Sequence, residues 1–152
     1  MSDHETRLRE AVRLAQENHR KGGRPFGAVL TFGDSIIATG VNDIMRTHDI
    51  SAHAEMAALR EACRLLQRPN LAGGIMYASG QPCPMCLAAM VLAGIKEVYY
   101  AFDNEDAAPY GFSSTKVYEA LRLQLPVALP LNRLRLDEIS AAAVYGLQDQ
   151  GS

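Results

Sequence analysis

Between two β-rich runs, Gly73–Ser79 (GGIMYAS) and Lys96–Phe102 (KEVYYAF), the chain places Pro82-Cys83-Pro84-Met85-Cys86 and then the apolar segment LAAMVLAG. Proline at the start and glycine at the end of that segment fit a helix over 84–94. A strand, helix and strand in this order predict a crossover between parallel neighbours, with helices on the faces of a sheet. The predicted class is therefore α/β.

The remaining elements fit around that unit. Leu8, Val12 and Ala15 form one stripe against Arg7, Arg9, Arg13 and Glu17, which predicts an amphipathic helix from Thr6 to about His19, ended by KGGRP. FGAVLTF and SIIATGV, joined by Gly33-Asp34, read as a β-hairpin. A polar loop, NDIMRTHDI, precedes a helix running AHAEMAALREACRLLQ, with Ser51 as its N-cap and its stop near Pro69. Beyond the loop DNEDAAPYGF, Ser114–Leu123 reads as helical. LPVALPL reads as an edge strand, because its prolines bar it from a central position, and Leu136–Tyr145 reads as a closing helix. No repeat or linker interrupts the 152 residues, which suit a single domain, 1–152.

Charge and cysteine usage narrow the function. A formal net charge of −2 supplies no global basic field for nucleic acid. The N-terminal MSDHETRLREAVRLAQ has no apolar leader core, and no run approaches the roughly 20 apolar residues of a membrane span. Three irregularly spaced cysteines do not make a disulfide framework. These features point to a cytoplasmic chain with no membrane partner.

Alone, Cys83-x-x-Cys86 is open to three readings: part of a zinc site, a thioredoxin-like redox pair, or two buried thiols. A structural zinc site draws its other ligands from a second close pair, which is missing here, and Cys63 reads as a buried mid-helix thiol. His53-Ala54-Glu55, thirty residues upstream, also opens a helix. Singly, such a histidine serves the surface or a cap, and such a glutamate the helix dipole. Together, H-x-E followed by P-C-x-x-C is the signature of zinc-dependent deaminases. Cys83 and Cys86, at i and i+3, share a face of one turn and can grip one ion. With His53 they make three protein ligands, which leaves a fourth tetrahedral position open, as in catalytic zinc sites. Glu55 is then the base that moves protons from water to the substrate. His53 and Glu55, two residues apart, can converge only if the site lies beyond the helix end.

RPFGAVL, SAHAEMAALREA and PCPMCLAAMVLAGI resemble the cytidine deaminase superfamily, within it the branch of bacterial guanine deaminase, cytosine deaminase and tRNA adenosine deaminase. The similarity runs from about Ala11 to Tyr118, and EDAAPYGF is particularly similar to the guanine deaminase loop. The resemblance implies a three-layer α/β/α fold around a mixed five-stranded sheet, a homodimer, and zinc on His53, Cys83 and Cys86 with Glu55 as proton shuttle. It implies base contacts from Asn42, Phe26, the backbone amide of Ala54, Phe112 and Ser114. The bland alternatives are a turn asparagine at 42 and a core phenylalanine at 26.

Three departures bear on the substrate. Guanine deaminases carry aspartates after Gly-Phe where this chain has Ser113-Ser114, and Gln81 stands where many relatives have glutamate. The last segment, LDEISAAAVYGLQDQGS, has no lysine or arginine to hold an RNA and lacks the closing tail of guanine deaminases. Arg20, Lys21 and Arg24 read as a solvated basic loop. The expected substrate is therefore a free nucleobase or similar aminated ring, guanine first. Cytosine, other bases or nucleosides, and tRNA adenosine are the alternatives.

Overall fold

A computed structural model of the chain describes residues 2–125 and 129–146. Helix α1 (Asp3–Arg20) leads into the hairpin β1 (Gly27–Phe32) and β2 (Ser35–Val41). A short helix α2 (Ile44–Thr47), helix α3 (Ala54–Leu66), strand β3 (Ile75–Gly80), helix α4 (Pro84–Ala93) and strand β4 (Glu97–Phe102) follow. Short helices α5 (Asn104–Ala107) and α6 (Thr115–Ala120), strand β5 (Leu131–Arg133) and helix α7 (Ala141–Tyr145) complete the order.

The strands form one mixed sheet ordered β2-β1-β3-β4-β5. β1 is antiparallel to β2 and β3, whereas β3, β4 and β5 run parallel, with α4 as the crossover from β3 to β4. Side chains alternate between two cores, as strand geometry requires. On one face Ala28, Leu30, Met76 and Val98 pack with Ala58, Leu59, Leu87 and Met90 of α3 and α4. On the other, Val29, Tyr77 and Ala101 pack with Leu8, Val12 and Ala15 of α1 and with Val144 and Tyr145 of α7. The result is the expected three-layer α/β/α arrangement.

Several elements differ from the sequence expectation. The loop 42–50 contains α2, and the helices expected over 114–123 and 136–145 are shortened to α6 and α7. The edge strand lies further along than expected: β5 shares only Leu131 with the LPVALPL segment, of which residues 126–128 lie outside the described residues. Ser51 does not cap α3, because its hydroxyl is spent elsewhere: it donates to Asp49 Oδ1 at 2.7 Å and accepts from Arg60 Nη2 at 2.8 Å. His53 is the N-cap instead. No sequence pattern marks His4, yet its ring nitrogens bridge the hydroxyls of Tyr77 at 2.7 Å and Tyr99 at 3.2 Å. This gives the phenol of the fully buried Tyr77 a partner.

Two glycines allow the helices to approach the sheet. A Cβ on Gly27 would meet the Ala11 carbonyl of α1 at 2.3 Å, and one on Gly40 would meet the Ala54 carbonyl of α3 at 2.3 Å. Gly40 therefore fixes how deeply the first turn of α3 seats on β2. Gly40→Ala is expected to lower stability by about 1–3 kcal/mol, the usual cost of overpacking, as measured by chemical denaturation.

Candidate active site

Strand pairing decides where the functional residues meet. Gly27 pairs with Val41, Ala28 with Ala78, and Gly80 with Phe102. The start of β1 and the ends of β2, β3 and β4 therefore lie at one end of the sheet. Phe26, Asn42, Gln81 and Asn104 project from those ends, and the N-termini of α3 and α4 open over them.

His53 and Cys83 are the N-caps of α3 and α4, both in extended backbone (φ −75°, ψ 157° and φ −75°, ψ 167°). Neither side chain caps its own helix. Both turn outward instead, so that His53 Nδ1 lies 3.5 Å from Cys83 Sγ and 3.6 Å from Cys86 Sγ. Ligand atoms about 2.3 Å (sulfur) and 2.0–2.1 Å (nitrogen) from a tetrahedral zinc stand about 3.6 Å apart. The observed spacing matches that edge. Among the described residues these three form the one group of His, Cys, Asp or Glu side chains placed to hold a metal ion, and all three donor atoms lie within 4.8 Å of one another. Cys63 is half-buried in α3 and outside the group.

The electrostatics follow from the packing. Hydrogen bonds from Cys86 and His53 hold the Cys83 thiol down, at about 4, against the effect of its burial. Donating that hydrogen bond pushes Cys86 up, and burial adds to the rise. Hydrogen bonding to Cys83 raises His53, while burial and the charge of Arg24 act against it. Burial lifts the Glu55 carboxyl to about 7, with the charge on Cys83 adding to the rise and its own backbone N–H opposing it.

A cavity of about 330 Å³ opens beside this cluster. It brings together seven of the nine residues singled out from the sequence: Phe26, Asn42, His53, Glu55, Cys83, Phe112 and Ser114. Cys86 is buried behind the wall, and Ala54 is buried against Gly40 outside the lining. The rings of Phe26 and Phe112 meet edge to face at 5.8 Å. Phe26 also packs against both cores, so it is at once a core and a cavity residue. Asn42 lines the cavity and also serves its turn: its Oδ1 accepts from the Ile44 N–H at 3.1 Å, as a turn asparagine does, while its side-chain N–H groups bond no described residue.

Supporting residues without a sequence signal, Asn104 and Tyr118, hold the lining in place. Ser114 donates through both its N–H and its hydroxyl to Asn104 Oδ1, at 3.0 and 3.1 Å, and the Asn104 N–H donates to Gln81 Oε1 at 3.0 Å. Two of the departures noted from sequence, Gln81 and Ser114, are thus linked through one asparagine. Tyr118 donates to the Pro82 carbonyl at 2.5 Å, which pins the turn before Cys83. Arg20, Lys21 and Arg24 are exposed, as a solvated basic loop requires, and Arg24 also lines the cavity. Asp103 and Asp106 are structural: they form a capping box on α5 and both pair with Arg133.

A mixed sheet with two cysteines and a histidine converging on one metal position, and a buried carboxyl in the same cavity, defines a metal-dependent hydrolase of the deaminase class. Residues 1–102 match the family described as the cytidine and deoxycytidylate deaminase zinc-binding region. The chain belongs to this family. It is 44% identical over 120 residues to guanine deaminase of Bacillus subtilis, covering 78% of this chain and 77% of that protein. It is 40% identical over 105 residues to the tRNA-specific adenosine deaminase of the same organism, covering 68% and 65%. The crystal structure of guanine deaminase from Bacillus subtilis superposes with a TM-score of 0.76 at 37% identity, covering 98% of this chain and 95% of that one.

Cys83→Ser and Cys86→Ser are each expected to reduce bound zinc from roughly one per chain to a small fraction of that, whereas Cys63→Ser leaves it unchanged, as measured by elemental analysis.

Proposed function

We propose that this chain hydrolyses the exocyclic amine of a free nucleobase, converting guanine and water to xanthine and ammonia. The observation that carries the reading is the buried Glu55 carboxyl, held near neutrality in the cavity beside the His53, Cys83 and Cys86 donor atoms. Zinc held by those three side chains supplies the Lewis acidity that activates water. Glu55 carries the protons: its carboxylate takes one from the water and delivers it to the ring nitrogen next to the amine, then takes the second from the hydroxyl added to the ring carbon and passes it to the amine, which leaves as ammonia as the carbonyl forms. A carboxyl titrating near 7 suits both the base and the acid half of that cycle. Phe26 and Phe112 enclose the ring, Asn42 donates to it, and Ser114 and the Ala54 amide complete the contacts to the base.

The similarity to guanine deaminase favours guanine over cytosine and other rings. The net charge of −2 favours a free base over RNA. No helix among the described residues is long and apolar enough to cross a membrane. Two closely spaced free thiols suit a reducing compartment, hence the cytoplasm. Apart from the buried thiol of Cys86, helix α4 has no polar side chain, and Val91 and Leu92 on it are 60% and 89% exposed, which supports a homodimer through this helix.

An ammonia-release panel of guanine, cytosine, adenine, their nucleosides and a tRNA anticodon stem-loop is expected to show turnover of guanine above all others; activity confined to the stem-loop overturns the reading. Glu55→Gln is expected to lower turnover at least about a hundredfold with zinc content unchanged. Leu92→Glu is expected to shift the sedimentation of the protein from dimer to monomer.

A further inference from the structure

Asn18, in the last turn of α1, spends its side-chain amide on two carbonyls from different loops. Its Nδ2 donates to Arg24 O at 2.8 Å and to Asn42 O at 2.7 Å. The Gly23 N–H returns a bond to Asn18 O at 2.9 Å, and the Asn42 N–H bonds Phe26 O at 3.1 Å. A Cβ on Gly23 would meet the Asn18 amide at 2.5 Å, so the turn can close on this asparagine only with glycine there. One amide therefore ties Arg24 and Asn42 together as neighbours on one wall of the cavity.

Both residues present donors. Among the described residues, the Arg24 guanidinium has no hydrogen-bond or ion-pair partner, although it lines the cavity and its charge is felt at His53. The Asn42 side-chain N–H groups have no described partner either. Glu55 is the only carboxylate among the lining residues, and it faces the metal ligands. The outer wall therefore carries cationic and amide N–H donors and no anion to oppose them. A ring seated with its amine toward Glu55 meets that wall with its far edge.

We propose that Arg24 is a specificity-determining residue: its exposed guanidinium, carried on the turn whose backbone Asn18 ties to that of Asn42, receives an acceptor-rich or anionic edge of the substrate ring. This rests on the free-base reading above and adds a selection within it. Arg24 favours rings whose far edge bears ring nitrogens or a delocalised negative charge, and disfavours rings presenting N–H donors there.

Guanine and 8-azaguanine test this directly. The aza ring replaces a C–H of the five-membered ring with an acceptor nitrogen and makes the neighbouring N–H more acidic. Kinetics at mildly alkaline pH are expected to give a lower KM for 8-azaguanine than for guanine. Arg24→Gln is expected to raise the KM for 8-azaguanine about tenfold or more, and that for guanine less, with kcat little changed and Arg24→Lys restoring most of the loss. Equal KM changes for the two bases, or none, overturn the proposal. Calorimetric binding of both bases to zinc-loaded Glu55→Gln protein, with and without Arg24→Gln, provides a readout independent of turnover. Binding of 8-azaguanine that depends on Arg24, by a wild-type protein that deaminates neither base, removes the guanine assignment and supports the role of Arg24. Binding that is indifferent to Arg24 overturns that role alone, and failure to bind either base overturns both.

Discussion

Two helix N-termini meet at one end of the sheet, and everything else at the site depends on how they meet. An N-cap residue has extended rather than helical backbone, so its side chain can reach past the end of the helix. By placing His53 and Cys83 at N-caps, the chain directs an imidazole and a sulfur beyond the helix ends into shared space. Cys86, at the third helical position of α4, then joins from the same turn. The positive ends of both helices favour thiolate over thiol and a carboxylate over its neutral form. Burial opposes that preference at Glu55, and the balance leaves its carboxyl near neutrality.

The surrounding structure keeps this meeting in register. Gly40 lets the Ala54 turn sit directly on β2, so the position of His53 relative to the sheet is set by backbone contact. Tyr118 pins the Pro82 carbonyl just before Cys83, and Asn18 fixes the two loops that bring Phe26 and Asn42 to the cavity. Gln81, Asn104 and Ser114 form a short hydrogen-bonded chain along another wall. These side chains are neutral, and those of Asn18, Gln81, Asn104 and Tyr118 each bond at least one backbone atom. They position the cavity lining without adding charge to it.

The order of elements and the metal cluster were legible in the sequence, because strong local signals carry them: the Gly33-Asp34 turn, proline and glycine at the two ends of α4, and a histidine and cysteines at ligand spacing. What escaped depends on contacts between distant residues. Ser51 is a good N-cap by type, but Asp49 and Arg60 claim its hydroxyl. Arg24 is the solvated loop residue that the sequence suggests, but its place in the cavity lining depends on Asn18, which holds its turn through the backbone. His4, Asn104 and Tyr118 have no periodicity or motif to mark them, since their partners lie 73, 10 and 36 residues away. The serines at 113 and 114 were visible as a departure, yet only the structure reveals Asn104 as the partner of Ser114.

Zinc K-edge X-ray absorption of the purified protein tests the central claim most directly. Three protein ligands with one open position predict two sulfurs at about 2.3 Å and two nitrogen or oxygen atoms at about 2.0–2.1 Å. A shell of three or four sulfurs, or one with no sulfur at all, would contradict it.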